Sequence, residues 1–396
     1  MSSKILIRYG EIGLKSRDTR RRFENILKNN IKLALKRYNI ESNIKTLHRR
    51  LLLEVDDSNL DRVISILKKV PGIISFSPSV ECNLDMKEIE ESAIEVFFRK
   101  IEELGNGTIT FKVKTQRVKK NFSLTSVEIN RRIGESILKN FQRVKPGDIT
   151  LKVDLKNPQI TLGIEIIDKA YIFTEVFRGV GGLPVNSQGK VLVLLSDGID
   201  SPVAGFLMMK RGCGTVLLHL KISDEGLEKV KRIYEVLKDY DPTSKLVVFD
   251  YREILQSIRE SLEEIGKEKY TCIICKRIML KIAQEYARRF NCEGIITGDS
   301  IGQVASQTLR NIYVISEGVS YPIFRPLIGL DKVEIMDIAK RIGTYDISTS
   351  KEIRCFAVPR HPITKGEVEE ARELEKYIMD RIEINKIFSD NNKNYN

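Results

Sequence analysis

The segment 191–202 has the composition of a phosphate-binding loop. An apolar run leads into Ser-Asp-Gly-Ile-Asp-Ser, and a proline then stands at the first position of a predicted helix. The hydroxyls of Ser196 and Ser201 and the backbone N–H groups can donate to an anion there, and Gly198 lets the backbone approach closely. Asp200 cannot face phosphate unaided, so we expect it to hold Mg²⁺ or to position the loop. The Gly-Lys-Ser/Thr ending of a Walker A loop is missing.

Two of the six cysteines also have a spacing that could do chemistry. Cys272 and Cys275 are separated by two residues at the start of a predicted helix, with Thr271 as its candidate cap. Two thiolates at this spacing can hold a metal or form a redox disulfide. The other cysteines are dispersed, and for them the ordinary expectation is that of small buried hydrophobic residues.

The elements that must position these residues alternate along the second half of the chain. Predicted strands cover 191–195, 215–220, 246–249 and 294–298, and predicted helices cover 202–211, 225–240, 270–290 and 332–342. Apolar strands that alternate with helices indicate a doubly wound parallel sheet, and hence an α/β fold. Before them, the segment 178–189 contains four glycines and one proline, which predicts a linker or lid.

The first half has a different pattern. Residues 1–80 read as strand, helix, strand, strand, helix, strand, an order typical of a small ferredoxin-like sandwich. Helices over 85–104 and 125–141 and strands over 108–114, 149–153, 159–167 and 170–177 follow. A length of 396 residues is consistent with two or three domains in all.

The net charge of +12 is concentrated in this first half, because residues 1–168 carry +10 of it. The densest basic stretch, 112–145, has ten Lys or Arg against two acids, which suits contacts to the phosphates of a polyanion. A solvated basic face is the alternative. Phe111, Phe122 and Phe141 could stack on bases, but for each of them a place in the core is the favoured interpretation. The candidate nucleic-acid contacts are Lys112, Lys114, Lys119, Lys120, Arg117, Arg131 and Arg132.

Membrane and secretory classes do not fit the sequence. No apolar run approaches the roughly 18 residues that a membrane span needs, and the apolar core of the N-terminus is too short for a signal peptide. We therefore expect a cytoplasmic protein without a membrane partner.

The motif Ser-x-Gly-x-Asp-Ser after a first strand resembles the PP-loop pyrophosphatases, which use ATP to adenylate a substrate. The segments 298–308 (GDSIGQVASQT) and 325–335 (RPLIGLDKVEI) resemble those of the tRNA 4-thiouridine synthetases. The resemblance implies three domains: a ferredoxin-like domain over 1–75, a THUMP RNA-binding domain over 76–170 and a PP-loop domain over 171–396. Asp197 departs from the commonest form of the loop, which has a glycine there.

The resemblance also implies a set of site residues. Asp200 would be catalytic and would hold Mg²⁺, and Asp299 is a second candidate for a metal or hydroxyl contact. Contacts to ATP are expected from Leu194, Leu195, Ser196, Gly198, Ser201, His219, Leu220, Lys276, Arg277, Gly298 and Gln307. The basic residues of 112–145 would contact tRNA.

By the same resemblance, Cys355 is the catalytic cysteine, and Arg354, Arg360 and His361 could favour its thiolate. Because the chain ends soon after this motif, we expect no rhodanese domain to deliver a persulfide. Cys272, Cys275 and Cys355 could instead hold a [4Fe-4S] or [3Fe-4S] cluster, as in cluster-dependent tRNA thiolases. Structural zinc, a plain helical pair and a persulfide relay remain as alternatives.

The expected activity is therefore a tRNA uridine 4-sulfurtransferase, which converts ATP to AMP and pyrophosphate and makes 4-thiouridine at position eight of tRNA. The sulfur donor would be free sulfide or a persulfide carrier. A homodimer would let one domain bind the acceptor end of tRNA while a distant pocket reaches the uridine.

The alternative functions are another PP-loop enzyme, either a 2-thiolating tRNA enzyme or an amidating ligase, and a non-catalytic tRNA-binding protein. A role in thiamine biosynthesis is known in the family and is less expected here.

Overall fold

The chain divides after Pro184 into two compact units. The computed structural model describes residues 2–119, 122–144, 148–351 and 353–382. The boundary lies within the segment 178–189, which confirms the predicted linker. Three of its glycines, Gly181, Gly182 and Gly189, have positive φ, a conformation that other residues adopt only with strain. In the described ranges, no helix has both the length and the apolar character that a membrane span requires.

The first unit begins with the predicted ferredoxin-like pattern. Its elements are β1 (Ser2–Tyr9), α1 (Arg17–Lys36), β2 (Asn43–Leu47), β3 (Arg50–Asp56), α2 (Leu60–Leu67) and β4 (Ile73–Cys82). The strands lie in the order β2-β3-β1-β4, and all three pairings are antiparallel. Helix α1 buries Phe23, Leu27 and Ile31 at helical spacing, which explains why this face packs on the sheet.

The same sheet continues into the second half of this unit. The elements are α3 (Met86–Leu104), β5 (Gly107–Arg117), α4 (Ser126–Val144), β6 (Ile149–Val153), β7 (Ile160–Ile166), β8 (Ala170–Phe173) and β9 (Phe177–Arg178). The nine strands have the order β2-β3-β1-β4-β8-β7-β5-β6, with β9 paired to β4. Phe111 lies in the core, and Phe122 and Phe141 pack partly buried against it, which confirms the favoured interpretation of these rings.

The second unit is built on a five-stranded parallel sheet in the order β12-β11-β10-β13-β14, which confirms the predicted doubly wound α/β fold. Its elements are β10 (Lys190–Leu194), α5 (Asp200–Lys210), β11 (Gly214–Lys221), α6 (Asp224–Leu237), β12 (Lys245–Asp250), α7 (Arg252–Glu264), α8 (Thr271–Arg289), β13 (Ile295–Ile296), α9 (Leu309–Ser316), β14 (Ile323–Phe324), α10 (Lys332–Ile342), α11 (Tyr345–Thr349) and α12 (Val368–Ile382). The strand order reverses between β10 and β13. Open α/β sheets bind ligands in the crevice at such a switch point.

Candidate functional site

The loop between β10 and α5 is folded back on itself by its two hydroxyls. The backbone N–H of Ser196 donates to Ser201 Oγ at 2.8 Å, and the two hydroxyl oxygens lie 2.9 Å apart. The backbone N–H of Gly198 lies 3.4 Å from Ser196 Oγ. Gly298, just after β13, packs so closely on this loop that a Cβ atom would lie 2.8 Å from the Ser201 nitrogen. Only glycine fits there, so the loop and the end of β13 form one continuous surface.

Two adjoining cavities open beside this loop. The first, here called the thiol cavity, has a volume of about 180 Å³, and the second, the loop cavity, has about 230 Å³. They share Leu194, Ser196 and Met279 as lining residues. Of the predicted site residues, the thiol cavity is lined by Leu194, Leu195, Ser196, His219, Leu220, Cys275 and Cys355. The loop cavity is lined by Leu194, Ser196, Gly198, Asp200, Ser201, Lys276, Gly298 and Gln307.

Asp299 is the centre of the polar network beside the loop cavity. It accepts hydrogen bonds from Lys276 Nζ at 3.0 Å, Thr297 Oγ1 at 2.7 Å and Gln307 Nε2 at 3.3 Å. Arg325 Nε lies 3.4 Å from Oδ2, the oxygen that also accepts from Thr297. Burial opposes ionisation, but the Lys276 charge and the Thr297 hydrogen bond outweigh it and lower the pKa of Asp299. The carboxylate therefore holds Lys276 at the edge of the cavity.

His219, at the end of β11, presents one ring nitrogen as a hydrogen-bond acceptor. Its Nδ1 lies 2.9 Å from the carbonyl oxygen of Leu195, so Nδ1 carries the proton. Burial lowers the pKa of His219 and keeps the imidazole neutral. Nε2 is buried and has no protein partner in the described ranges, and the side chain lines the thiol cavity. The ring can therefore accept a hydrogen bond from a ligand in that cavity.

Two ion pairs at the loop were not predicted. Lys332 Nζ, at the start of α10, donates to Asp200 Oδ1 at 2.7 Å. Lys229 Nζ, on α6, lies 3.5 Å from Asp197 Oδ2. Lys332 lies in the segment 325–335, which resembles a family motif, so its place in the site could have been predicted from the sequence. Lys229 had none, because a lone lysine in a helical pattern reads as a solvated residue.

Two of the three candidate thiols, Cys275 and Cys355, line the thiol cavity, and Cys272 lines neither cavity. Cys275 Sγ lies 3.6 Å from the Tyr251 hydroxyl and 3.7 Å from Met279 Sδ. Burial raises the pKa of Cys275 to about 12, and burial followed by the proximity of Cys355 raises the pKa of Cys272. Both thiols are therefore protonated at neutral pH. The remaining cysteines are buried or half-buried, as expected: Cys82, Cys213 and Cys292.

A preformed metal site is not part of this arrangement. Within the described ranges, no group of three or more His, Cys, Asp or Glu is positioned to hold a metal ion. Thiols are the donors that soft metals and clusters prefer, and here Cys275 and Cys355 line one cavity while Cys272 lies three residues before Cys275 on α8. Binding a cluster would require these thiols to lose their protons and draw closer.

Arg277 requires a correction, because it does not reach either cavity. Its guanidinium is 2% exposed and donates to Glu375 Oε2 at 2.6 and 2.9 Å and to Glu317 at 3.1 Å. It also donates to the carbonyl oxygen of Val314. Arg277 follows Lys276 on α8, and successive residues of a helix are rotated by about 100° around its axis. The Arg277 side chain therefore lies between α8 and α12 and not at the cavity. It is a structural ion pair and not a phosphate ligand.

Replacing Arg277 by methionine is accordingly expected to lower the free energy of unfolding without changing ATP affinity. The loss should be at most about 3–5 kcal/mol, the scale for an uncompensated buried charge, because Glu375 would lose its main partner and keep only Lys281, whose Nζ lies 3.0 Å from Oε1. Chemical denaturation and ATP titration of the same samples measure the two quantities. Arg288→Met, at an exposed position of the same helix, is the matched control. A weakened ATP affinity with normal stability would contradict this assignment.

The predicted nucleic-acid contacts lie in the first unit. Lys114, Lys119, Arg131 and Arg132 are exposed, and Arg131 lies 3.4 Å from Glu135. Three of the predicted contacts donate hydrogen bonds within the unit. Lys112 Nζ and Arg117 Nη1 donate to backbone carbonyls, and Arg132 Nε donates to Glu90 at 3.2 Å. The prediction for Lys120 lies outside the described residues.

Three family models match the chain. The model described as thiamine biosynthesis protein (ThiI) matches residues 186–379, the ThiI ferredoxin-like domain matches residues 4–77, and the THUMP domain matches residues 83–175. Together they cover both units. The domain boundaries expected at 75 and 170 remain predictions.

Curated relatives and a solved structure are similar over nearly the whole length. A protein of Methanocaldococcus jannaschii named probable tRNA sulfurtransferase is 52% identical, over 95% of this chain and 97% of that protein. One of Thermococcus kodakarensis with the same name is 43% identical, over 94% and 96%. A crystal structure described as a 4-thiouridine synthetase–RNA complex with bound ATP is 33% identical, with a TM-score of 0.84 and 98% of each chain covered.

Proposed function

This chain belongs to the thiamine biosynthesis protein (ThiI) family, and we propose that it is the tRNA sulfurtransferase that makes 4-thiouridine at position eight of tRNA. The observation that carries the proposal is the junction of the two cavities. A phosphate-binding loop lines one, two cysteines line the other, and Ser196 lies in both. Such a junction suits a reaction in which a nucleotide activates an oxygen that sulfur then replaces.

ATP would bind across the two cavities. The nucleoside would occupy the thiol cavity, where apolar Leu194 and Leu220 offer contact area and His219 Nε2 offers an acceptor for an amino or hydroxyl group. The triphosphate would occupy the loop cavity, near Ser196, Ser201 and Lys276. The N-terminus of α5 adds its positive dipole end.

Mg²⁺ would be held by Asp200 together with phosphate oxygens of ATP. Mg²⁺ in nucleotide sites is held by one or two carboxylates, water and the phosphates themselves, so a single carboxylate on the loop fits this use. Lys332, which pairs with Asp200, and Lys276 would neutralise further phosphate charge. The ion would supply charge neutralisation at the triphosphate.

The first half-step would join the C4 oxygen of the uridine to the α-phosphate and release pyrophosphate. The residues of the loop cavity would contribute positioning and charge stabilisation, which are the main terms in such transfers. In the second half-step, hydrosulfide would attack C4, the C4–O bond would break, and AMP would leave with the oxygen. The proton of the sulfur is lost, and 4-thiouridine remains.

The sulfur would be presented by Cys272, Cys275 and Cys355. A [4Fe-4S] cluster held by these three thiols would leave one open iron for exogenous sulfide, whereas in a [3Fe-4S] cluster each iron would already have its thiol. A Cys355 persulfide is the alternative, and it needs a second thiol and a reductant to regenerate the enzyme. Iron and acid-labile sulfide assays on anaerobically purified protein distinguish the two. We expect both iron and sulfide, and zinc alone would contradict the cluster.

The tRNA would be bound by the basic first unit, where Lys114, Lys119 and Arg131 are exposed. Contacts of this kind are electrostatic, so the affinity for tRNA should fall with added salt.

A homodimer remains a prediction, which sedimentation in the presence of tRNA would test. A role in thiamine biosynthesis likewise remains a prediction from the family resemblance.

Anaerobic thiolation of unmodified tRNA with ATP and free sulfide tests the proposed function. We expect 4-thiouridine in the nucleoside digest and one pyrophosphate for each thiolated uridine. A 2-thio product would assign the chain to another class of tRNA thiolase. Failure of ATP–pyrophosphate exchange in the presence of tRNA would favour a non-catalytic tRNA-binding protein.

A further inference from the structure

Lys229 is a buried lysine whose ammonium group has three oxygen partners. The side chain is 9% exposed, although α6 is otherwise amphipathic with a solvated face. Nζ donates to the carbonyl oxygens of Ser348 and Lys351 at 2.8 Å each, and Asp197 Oδ2 lies 3.5 Å away. The two carbonyl oxygens use two of the three donors of the ammonium group, and the Asp197 carboxylate supplies the opposite charge. A buried charge is costly without such partners.

These contacts join the phosphate loop to the end of α11. Asp197 belongs to the loop, while Ser348 and Lys351 belong to the last turn of α11 and the residues after it. A second bond links the same two parts, because Ser348 Oγ donates to the carbonyl oxygen of Gly198 at 3.2 Å. Lys351 lies only four residues before Cys355 in the sequence. The loop that would bind phosphate is thus tied to the segment that leads to the thiol.

We infer that Lys229 is a positioning residue for the phosphate loop. It couples this loop to residues 348–351, the stretch that precedes Cys355 and is here called the Cys355 segment. Lys229 lines neither cavity, so it acts through other residues. Asp197, which stands where the commonest loop has glycine, is its partner in the loop. The inference rests on the proposed function, because it concerns the coupling between the pyrophosphate-releasing step and the sulfur-transfer step.

The test compares the two half-steps in the same samples. Pyrophosphate release and 4-thiouridine formation are measured with tRNA, sulfide and saturating ATP, and the ratio of the two products is reported. In Lys229→Met the loop and the Cys355 segment lose the contacts through Lys229 and keep only the bond from Ser348 to Gly198. We expect thiolation to fall about 10- to 100-fold, the scale of a displacement near 1 Å, while pyrophosphate release falls much less. The ratio then rises well above the value for the unaltered protein.

The effect of the Asp197 charge on ATP binding must be distinguished from the effect of losing the contacts through Lys229. Asp197 lines the thiol cavity beside Ser196, so in Lys229→Met its unpaired charge would lie next to the proposed ATP position, and we expect a higher KM for ATP. The double variant Lys229→Met/Asp197→Gly removes that charge, and its KM should return toward normal while the ratio stays high. Lys231→Met, an exposed lysine on the same helix that pairs with Glu228, is the matched control.

The outcomes separate the inference from its premise. If both half-steps fall together and the ratio is unchanged, Lys229 is only structural and the inference is overturned. If Lys229→Met does not fold, Ser348→Ala serves instead, because it removes only the bond to Gly198. It should raise the ratio without lowering the melting temperature, and an unchanged ratio there overturns the inference. If the unaltered protein releases no pyrophosphate and makes no thiouridine, the proposed function itself fails.

Discussion

Asp200→Ala is expected to abolish pyrophosphate release in the presence of tRNA, with a rate about 100- to 1,000-fold lower. Asp200 begins α5, lines the loop cavity and pairs with Lys332 at 2.7 Å. Removing the carboxylate takes away the protein ligand for Mg²⁺ and releases Lys332 from its position. Both losses leave triphosphate charge unneutralised as the C4 oxygen attacks. Release of labelled pyrophosphate from ATP with unmodified tRNA measures the effect.

Two control variants test whether the loss of activity depends on the charge of Asp200 and on its position in the site. Asp200→Asn keeps the size but loses the charge, and a neutral amide is a weak ligand for Mg²⁺, so it should be nearly as inactive. Asp337→Ala removes an exposed carboxylate from α10, the helix that carries Lys332, and should keep full activity. Substantial activity of Asp200→Asn would contradict the metal role and would leave only a positioning role.

The elements of the site were predictable because their signals are local. The strand β10, the loop after it and the start of α5 lie in one short stretch, and apolar strands alternate with helices around them. The predicted strand 191–195 and the observed β10 differ by one residue at each end. The ferredoxin-like strand order likewise follows from alternation within the first 80 residues.

The long-range contacts were not predictable from the residues. Lys276 and Arg277 are neighbours with similar side chains, and only the packing of α8 against α12 separates the cavity-facing one from the buried one. Helix α12 was not predicted, so the partner Glu375 could not be foreseen. Lys229 and Asp197 are 32 positions apart, and no spacing rule joins them. Asp299 was foreseen as a site residue, but not as the carboxylate that holds Lys276.

Cys355→Ala is expected to release pyrophosphate but to make no thiouridine. Cys355 lines the thiol cavity with Cys275, beside the proposed nucleoside position, and it does not line the loop cavity that would hold the triphosphate. Adenylation should therefore proceed, and AMP should remain attached to tRNA because no sulfur displaces it. ATP labelled at the α-phosphate reveals this as label retained on tRNA. Cys82→Ala, in the other unit, is the control and should thiolate normally.

Variants of the other two thiols decide how the sulfur is presented. If the three cysteines hold a cluster, Cys272→Ser and Cys275→Ser should lose iron together with thiolation, because a cluster with three protein ligands requires all of them. If Cys355 carries a persulfide and one other thiol cleaves it, only one of these two variants should be inactive, and neither iron nor acid-labile sulfide should be present. Normal thiolation by Cys355→Ala would remove this residue from the sulfur-transfer step under either alternative.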